Sequence, residues 1–216
     1  MLKKYSTVIF DFDGTLIYTL EDIRDSLNYT LSKYNIQEKS LEEVRNLVGE
    51  GAYRLVELCV KGGKDNIHFE EIFKLYRKHY SENYINKSKP YPDVIDMLES
   101  LKNKGYKMAV VSNKYDDLVK YLNHMYFENI ISVAIGESEK IRKKPSPDGI
   151  LEALKNLNSE KEEAVYVGDS DVDIETAKNA GIDCISVSYG YRDLELLKRC
   201  GAVNIAHNPM EILNYL

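Results

Sequence analysis

The sequence predicts an α/β protein whose core is a doubly wound, Rossmann-like parallel sheet with an all-helical domain inserted after its first strand. Short apolar runs without polar alternation, such as residues 8–10, 108–111 and 164–168, alternate with amphipathic stretches. That pattern is typical of parallel strands covered by helices on both faces. Between residues 19 and 87 no strand-like run occurs, and two prolines then mark the return to the alternating pattern. A chain of 216 residues is long enough for both parts.

Each element has its own signal in the sequence. In the insert, apolar residues recur at helical spacing over residues 20–36 and again over residues 69–84. Beyond the insert we expect helices at 94–105, 115–126, 146–157 and 172–181, and strands at 107–113, 130–136, 164–169 and 183–190. The core is therefore predicted to comprise residues 1–17 and 88–216, and the helical insert residues 18–87.

The composition argues against several classes of function. The formal net charge of −6 is unlike that of a nucleic-acid-binding protein, which normally carries a basic field. No apolar run approaches the roughly 20 residues needed to cross a membrane. The three cysteines show no CxxC spacing, so we interpret them as buried thiols in a reducing compartment and expect a cytoplasmic protein. The many tyrosines suit either a monomer or a homodimer.

Polar side chains follow three of the predicted core strands at the point where each strand ends. Asp11 and Asp13 follow the first strand, Ser112 and Asn113 follow another, and Asp169 follows a third. Ligands of open α/β sheets bind beyond the carboxyl ends of the strands, because parallel strands all end at the same edge. We therefore expect these side chains to meet there.

Lys144 is predicted to join this set from a loop before a helix, where it directly precedes a proline. Clustered carboxylates repel one another unless a cation lies between them, and Mg²⁺ binds one or two carboxylates together with a phosphate. The set therefore indicates a site for a phosphoryl group. Asp11 would attack phosphorus and form an aspartyl-phosphate. Asp13 would protonate the leaving oxygen and then activate water.

Four motifs resemble those of the haloacid dehalogenase superfamily of phosphatases, and more narrowly its phosphoglycolate phosphatase-like branch. They are DFDGTL at 11–16, VVSNK at 110–114, KKPSPD at 143–148 and GDSDVD at 168–173, in the family's order. The resemblance covers essentially the whole chain. It implies a phosphoric monoester hydrolase in which the helical insert is a mobile cap.

The resemblance also implies a role for each motif residue. Mg²⁺ would be bound by Asp11, the Asp13 carbonyl and Asp169, with Asp173 supporting that site. The phosphoryl oxygens would be held by Ser112, Asn113 and Lys144. A dehalogenase of the superfamily normally lacks the second aspartate of the first motif, so the presence of Asp13 favours phosphate chemistry. A simpler alternative for the last motif is that Asp169 or Ser170 caps a helix that begins near Asp171.

Two features of the insert bear on the substrate. Relatives often carry Asp-Ser where this chain has Tyr18-Thr19, at the hinge into the cap. Within the insert, Arg54 follows two glycines and is a candidate clamp for an anionic group of the substrate. The alternative is a plain link between helices with Arg54 in solvent.

The sequence thus predicts a Mg²⁺-dependent phosphatase acting on a small phosphorylated metabolite, with phosphoglycolate the leading substrate. Alternatives on the same core are a pyrophosphatase, a nucleotide or sugar-phosphate phosphatase, and a phosphosugar mutase. A non-catalytic phosphate-binding regulator is the alternative of a different class. The proton-transfer acid Asp13 counts against it, because a protein that only binds has no need of such a group.

Overall fold

The computed structural model describes residues 4–216 and divides the chain into two compact units. One unit comprises the part of the chain before Thr19 together with Pro90–Leu216, and the other comprises Thr19–Lys89. Two short strands, β2 (Ile17–Tyr18) and β3 (Lys89–Pro90), lie where the chain leaves the first unit and returns to it. That the helical unit acts as a cap remains a prediction.

The first unit, called the core here, is built on a six-stranded sheet in which every strand pair is parallel. The order across the sheet is β5-β4-β1-β6-β7-β8. The strands are β1 (Thr7–Phe10), β4 (Lys107–Tyr115), β5 (Val133–Glu137), β6 (Ala164–Gly168), β7 (Asp183–Val187) and β8 (Asn204–Ala206). All residues of β1 and β6 are buried, which explains their continuous apolar runs. The predicted fold class is confirmed.

Five α-helices connect the core strands. They are α5 (Val94–Asn103), α6 (Asp116–Phe127), α7 (Asp148–Leu157), α8 (Asp171–Ala180) and α9 (Leu194–Arg199). One core cluster joins Ile9 of β1 and Tyr166 of β6 to Ile150 of α7 and Ala177 of α8. These side chains pack α7 and α8 against the strands that lead to the predicted polar residues.

The second unit is formed by four α-helices. They are α1 (Leu20–Lys33), α2 (Leu41–Leu47), α3 (Ala52–Cys59) and α4 (Phe69–Asn83). α1 and α4 pack against each other, and their buried residues, among them Leu27 and Tyr76, recur at helical spacing. Ser40 and Glu43 form a capping box at the start of α2, in which each side chain bonds the backbone amide of the other.

A buried carboxylate joins the two ends of the helical unit. Asp22, in the first turn of α1, accepts hydrogen bonds from the Lys87 amide at 2.9 Å and from the Ser88 amide at 2.8 Å. The Ser88 hydroxyl donates a third bond of 2.7 Å. Because Asp22 is only 2% exposed, these bonds replace water around the charge. The unit therefore fastens its own ends together.

The cysteines are only partly as expected. Cys59 is buried, Cys184 is half-buried and Cys200 is exposed, and all three are free thiols. The interpretation of Cys200 as a buried residue was wrong, because it follows the short helix α9 at the surface. Between residues 4 and 216, no helix combines the length and the apolar character that crossing a bilayer requires.

Candidate active site

The candidate site begins where β1 and β6 end side by side. Phe10 is in register with Val167, so Asp11 and Asp169 emerge at the same edge of the sheet. The Asp11 amide continues the pairing by donating a 2.8 Å hydrogen bond to the Val167 carbonyl. Both carboxylates are buried.

Lys144 lies between two carboxyl groups of the predicted site, those of Asp11 and Asp173. Its ammonium is 2.7 Å from an oxygen of Asp11 and 2.7 Å from an oxygen of Asp173. It also donates a 3.1 Å hydrogen bond to the hydroxyl of Tyr166. The Lys144 side chain is 4% exposed. A lysine this deeply buried is stabilised by the acids around it.

Asn113 fixes the main chain of Lys144. Its side-chain oxygen accepts a 2.7 Å hydrogen bond from the Lys144 amide, and its side-chain nitrogen donates one of 3.1 Å to the Lys144 carbonyl. Sequence reasoning predicted a direct phosphoryl contact for Asn113, and that contact remains a prediction. In the structure its amide group positions the lysine.

The two carboxylate oxygens of Asp173 bind different partners. Ser170 is the N-cap of α8, and its amide and hydroxyl donate to Asp173 Oδ2 at 3.0 and 2.6 Å. The other oxygen faces Lys144. Ser170 is thus the helix cap that the simpler alternative allowed, and the carboxylate that completes its capping box also binds Lys144. Support of a metal site by Asp173 remains a prediction.

Two glycines leave room for the Asp169 carboxylate. Gly14 has a φ of +92°, and a Cβ there would lie 2.7 Å from Asp169 Cγ and 2.9 Å from its Oδ1. A Cβ on Gly190 would overlap the same side chain. The Tyr191 amide donates a 2.6 Å hydrogen bond to Asp169 Oδ2. Any side chain at Gly14 would therefore displace the carboxylate.

The cluster places three carboxyl groups around one lysine. One oxygen each of Asp11, Asp169 and Asp173 lies within 4.8 Å of the others. Burial, and then repulsion from Asp173, raise the pKa of Asp11 well above its ordinary value. The same two causes raise the pKa of Asp169 to about 7. Burial lowers the pKa of Lys144, but Asp11 and Asp173 outweigh it and raise that pKa overall. Such a set of hard oxygen donors fits a divalent cation such as Mg²⁺.

Asp13 lies apart from this cluster and has a different partner. The ammonium of Lys114 donates hydrogen bonds of 2.9 and 2.8 Å to its two carboxylate oxygens. Lys114 and Tyr166 were not among the site residues predicted from the sequence. The available signal for Lys114 was its place directly after Ser112 and Asn113, at the same sheet edge as the other polar residues.

Tyr18, at the predicted hinge, is part of an aromatic cluster in the core. The Tyr18 ring meets the Tyr91 ring edge-on at 6.0 Å, and Tyr91 meets Tyr189 at 5.2 Å. The Tyr189 hydroxyl donates a 3.0 Å hydrogen bond to the carbonyl of Thr15. The cluster thus supports the loop after β1 that carries Asp13.

Arg54 lies in the helical unit, on α3. Its guanidinium is 2.8 Å from a Glu57 oxygen, and its side chain is 41% exposed. The structure thus gives it a surface ion pair one turn along its own helix. A role in binding substrate stays a prediction.

The sequence matches a known family over most of its length. Residues 8–187 match the family described as haloacid dehalogenase-like hydrolase. The chain belongs to this family. It is 39% identical over 185 residues to the phosphoglycolate phosphatase of Aquifex aeolicus, covering 85% of each chain. It is 36% identical over 198 residues to a protein of Caldanaerobacter subterraneus that is provisionally named a pyrophosphatase, covering 91% of this chain and 87% of the relative.

The fold is also shared with solved structures. A crystal structure of a predicted phosphoglycolate phosphatase from Haemophilus somnus superposes with a TM-score of 0.91 at 27% identity, over 100% of this chain and 99% of the other. Together these matches confirm the predicted family and the predicted enzyme class, a phosphoric monoester hydrolase.

Proposed function

We propose that the protein is a Mg²⁺-dependent phosphatase that hydrolyses a small phosphomonoester through an aspartyl-phosphate on Asp11. The observation that carries the proposal is the position of Asp11: its carboxylate lies 2.7 Å from Lys144 within a cluster of three buried acids. Three buried carboxyl groups around one lysine suit a cation and the phosphate that such a cation binds.

The residues that would hold Mg²⁺ are the carboxylates of Asp11 and Asp169 and the carbonyl of Asp13. Asp173 supports them by binding Lys144. When bound, Mg²⁺ would reduce the repulsion between the negative nucleophile and the negative phosphoryl group. The gap that Gly14 leaves beside Asp169 is consistent with this donor set.

The proposed reaction uses two acids in turn. An oxygen of Asp11 attacks phosphorus, and the bond between phosphorus and the leaving oxygen breaks. Asp13 gives its proton to that oxygen, so the product leaves as an alcohol. Asp13 then takes a proton from water while the water oxygen attacks phosphorus. Phosphate departs and Asp11 is restored.

Lys144 and Ser112 would hold the phosphoryl oxygens during both steps. The Lys144 ammonium already lies at the nucleophile, where it would stabilise the charge that develops on the phosphoryl group. Ser112 is buried in the C-terminal half of β4, beside Asn113, whose side chain holds the main chain of Lys144. Direct binding by Asn113 is part of the proposal.

Phosphoglycolate is the proposed substrate because the relatives include proteins of that name. Pyrophosphate is the second candidate, since one relative is provisionally named for that activity. A carboxylate or a second phosphate on the substrate would give Arg54 an anionic partner to compete with Glu57.

We further propose that the enzyme works in the cytoplasm. Its three cysteines are free thiols, and the exposed one would be vulnerable in an oxidising compartment.

The test is phosphate release across a panel of phosphoglycolate, pyrophosphate, mononucleotides, hexose phosphates and an aryl phosphate. Each is measured with Mg²⁺, with EDTA, and with the Asp11→Asn variant. We expect metal-dependent release that the variant abolishes, with the highest kcat/KM on phosphoglycolate. A folded protein that binds Mg²⁺ but releases no phosphate from any of them would contradict the proposal.

A further inference from the structure

We propose that Lys114 is a positioning residue for Asp13, which holds the Asp13 carboxylate where it exchanges protons with the leaving group and with water. The inference rests on the proposed function, since it assigns Lys114 a part in that reaction. One ammonium lies 2.9 Å from one oxygen of Asp13 and 2.8 Å from the other. Contact with both oxygens restricts the rotation of the carboxylate as well as its distance from the ammonium.

The main chain of β4 is shaped so that consecutive side chains reach this edge of the sheet. β4 and β5 are in register at Val111 and again at Tyr115, but the register shifts between these two positions. The stretch between them consists of Ser112, Asn113 and Lys114, and the Lys114 amide donates a 3.3 Å hydrogen bond to the Ser112 hydroxyl. Irregularities of this kind re-aim side chains and are common beside active sites.

The two buried lysines of the site serve different acids. Lys144 contacts Asp11 and Asp173, whereas Lys114 contacts Asp13. The Lys114 side chain is 4% exposed and that of Asp13 is 20% exposed. Burying an ion pair rarely improves stability over apolar side chains of similar volume, because both charges lose water. The position that the pair gives to Asp13 explains it better than a gain in stability does.

The consequence for catalysis is a loss of rate without a loss of substrate binding. A catalytic group displaced by about 1 Å can lower a rate by roughly 10²-fold, and general acid–base catalysis contributes about 10²–10⁴-fold in all. We therefore expect Lys114→Met to lower kcat on phosphoglycolate by about 10- to 100-fold, with KM changed less than about twofold. Lys114→Arg keeps the cation and should retain more of the activity.

Lys120→Met is the matched control. Lys120 also pairs with an aspartate, Asp116, at 2.6 Å, but its side chain is 61% exposed on α6. Removing this ammonium changes the net charge by the same amount, and it should leave kcat and KM unchanged.

Two substrates with different leaving groups distinguish two possible roles of Lys114, which are positioning of Asp13 and direct binding of the phosphoryl group. Single-turnover release of the leaving group is measured for phosphoglycolate and for 2,4-dinitrophenyl phosphate, whose leaving group departs without a proton. If Lys114 acts through Asp13, Lys114→Met slows this step on phosphoglycolate and leaves it within about twofold on the dinitrophenyl ester. Lys114→Gln is the second variant if the Met variant does not fold.

Three results would overturn the proposal: equal slowing on both substrates, a higher KM with unchanged kcat, or no effect of Lys114→Met at all. The proposed function fails in a different way, since the wild-type enzyme would then release no phosphate from either substrate.

Discussion

Lys144 and Asp173 form an ion pair of 2.7 Å in which the carboxylate side chain has no exposed surface and the lysine side chain is 4% exposed. The same ammonium is equally close to Asp11. The nucleophile of the proposed reaction is therefore joined through one lysine to Asp173, whose carboxylate completes the capping box of α8. Any change at Lys144 is expected to affect both the chemistry and the stability of the core.

Replacing Lys144 by methionine should destabilise the protein and abolish turnover. The buried carboxylates would lose the charge that balances them, and breaking a buried pair by removing one partner costs about 3–5 kcal/mol. Urea unfolding in EDTA measures the loss. The control is Lys155→Met, which removes an exposed lysine 3.7 Å from Glu152 and should change the free energy of unfolding by less than about 0.5 kcal/mol. Equal losses in the two variants would contradict this account.

Stabilisation by Mg²⁺ should increase with pH. The pKa of Asp169 is about 7 in the folded metal-free protein, against an ordinary value of 3.8. The folded state therefore holds this proton more tightly than the unfolded state does, and its stabilising contribution, complete below about pH 4, is lost as the pH rises toward 7. Binding of Mg²⁺ requires the ionised carboxylate, so binding should tighten over the same range of pH.

The measurement is the difference in Tm between Mg²⁺ and EDTA from pH 5 to pH 8. We expect this difference to grow up to about pH 7, and to be small and nearly constant in Asp169→Asn. A wild-type difference that stays the same at every pH would show that Asp169 does not compete with protons for the metal.

Gly14→Ala should damage the site more than its backbone strain alone explains. A methyl group there would meet the Asp169 carboxylate in a backbone conformation with φ of +92°. Gly105→Ala is the matched control, because Gly105 has a φ of +75° with no atom within 4 Å of the added Cβ. Both variants should lose about 1 kcal/mol or more from strain. Only Gly14→Ala should also lose phosphatase activity and the Mg²⁺-dependent rise in Tm.

Asp22→Ala should destabilise the helical unit. The variant leaves the amides of Lys87 and Ser88 without their buried acceptor, and an unsatisfied buried donor costs about 1–3 kcal/mol. Hydrogen exchange would report the loss directly as faster exchange at these two amides. The control Asp65→Ala, at an exposed position of the same unit, should leave both rates unchanged. Unchanged exchange rates at both amides in Asp22→Ala would show that the hydrogen bonds to Asp22 do not stabilise the unit.

The meeting of Asp11, Asp169 and Lys144 could be anticipated from the sequence because it depends on simple rules. Apolar runs locate β1 and β6, and parallel neighbours end at one edge. The motif order then places Lys144 in a loop that reaches the same edge.

Two other contacts could not be anticipated because they depend on three-dimensional detail. The pairing of Lys114 with Asp13 depends on a register shift within β4, which no periodicity of apolar residues reveals. Asp22, in the first turn of α1, resembles an acid placed there for the helix dipole, yet its partners lie 65 and 66 residues further along the chain.

The bond between Asp22 and Ser88 also bears on how the core assembles. Thr7 of β1 pairs with Lys107 of β4. When these two strands pair, the chain between them, which includes the whole helical unit, must therefore close into a loop. A flexible loop of that length would oppose the pairing entropically, by about 0.6 kcal/mol for each doubling of its length. If α1 and α4 pack first and Asp22 fastens the ends, β1 and β4 are joined by a short tether instead of a long one. The packed insert then brings β1 and β4 close together before they pair. The core can therefore fold at a rate typical of proteins whose contacts lie nearer in sequence.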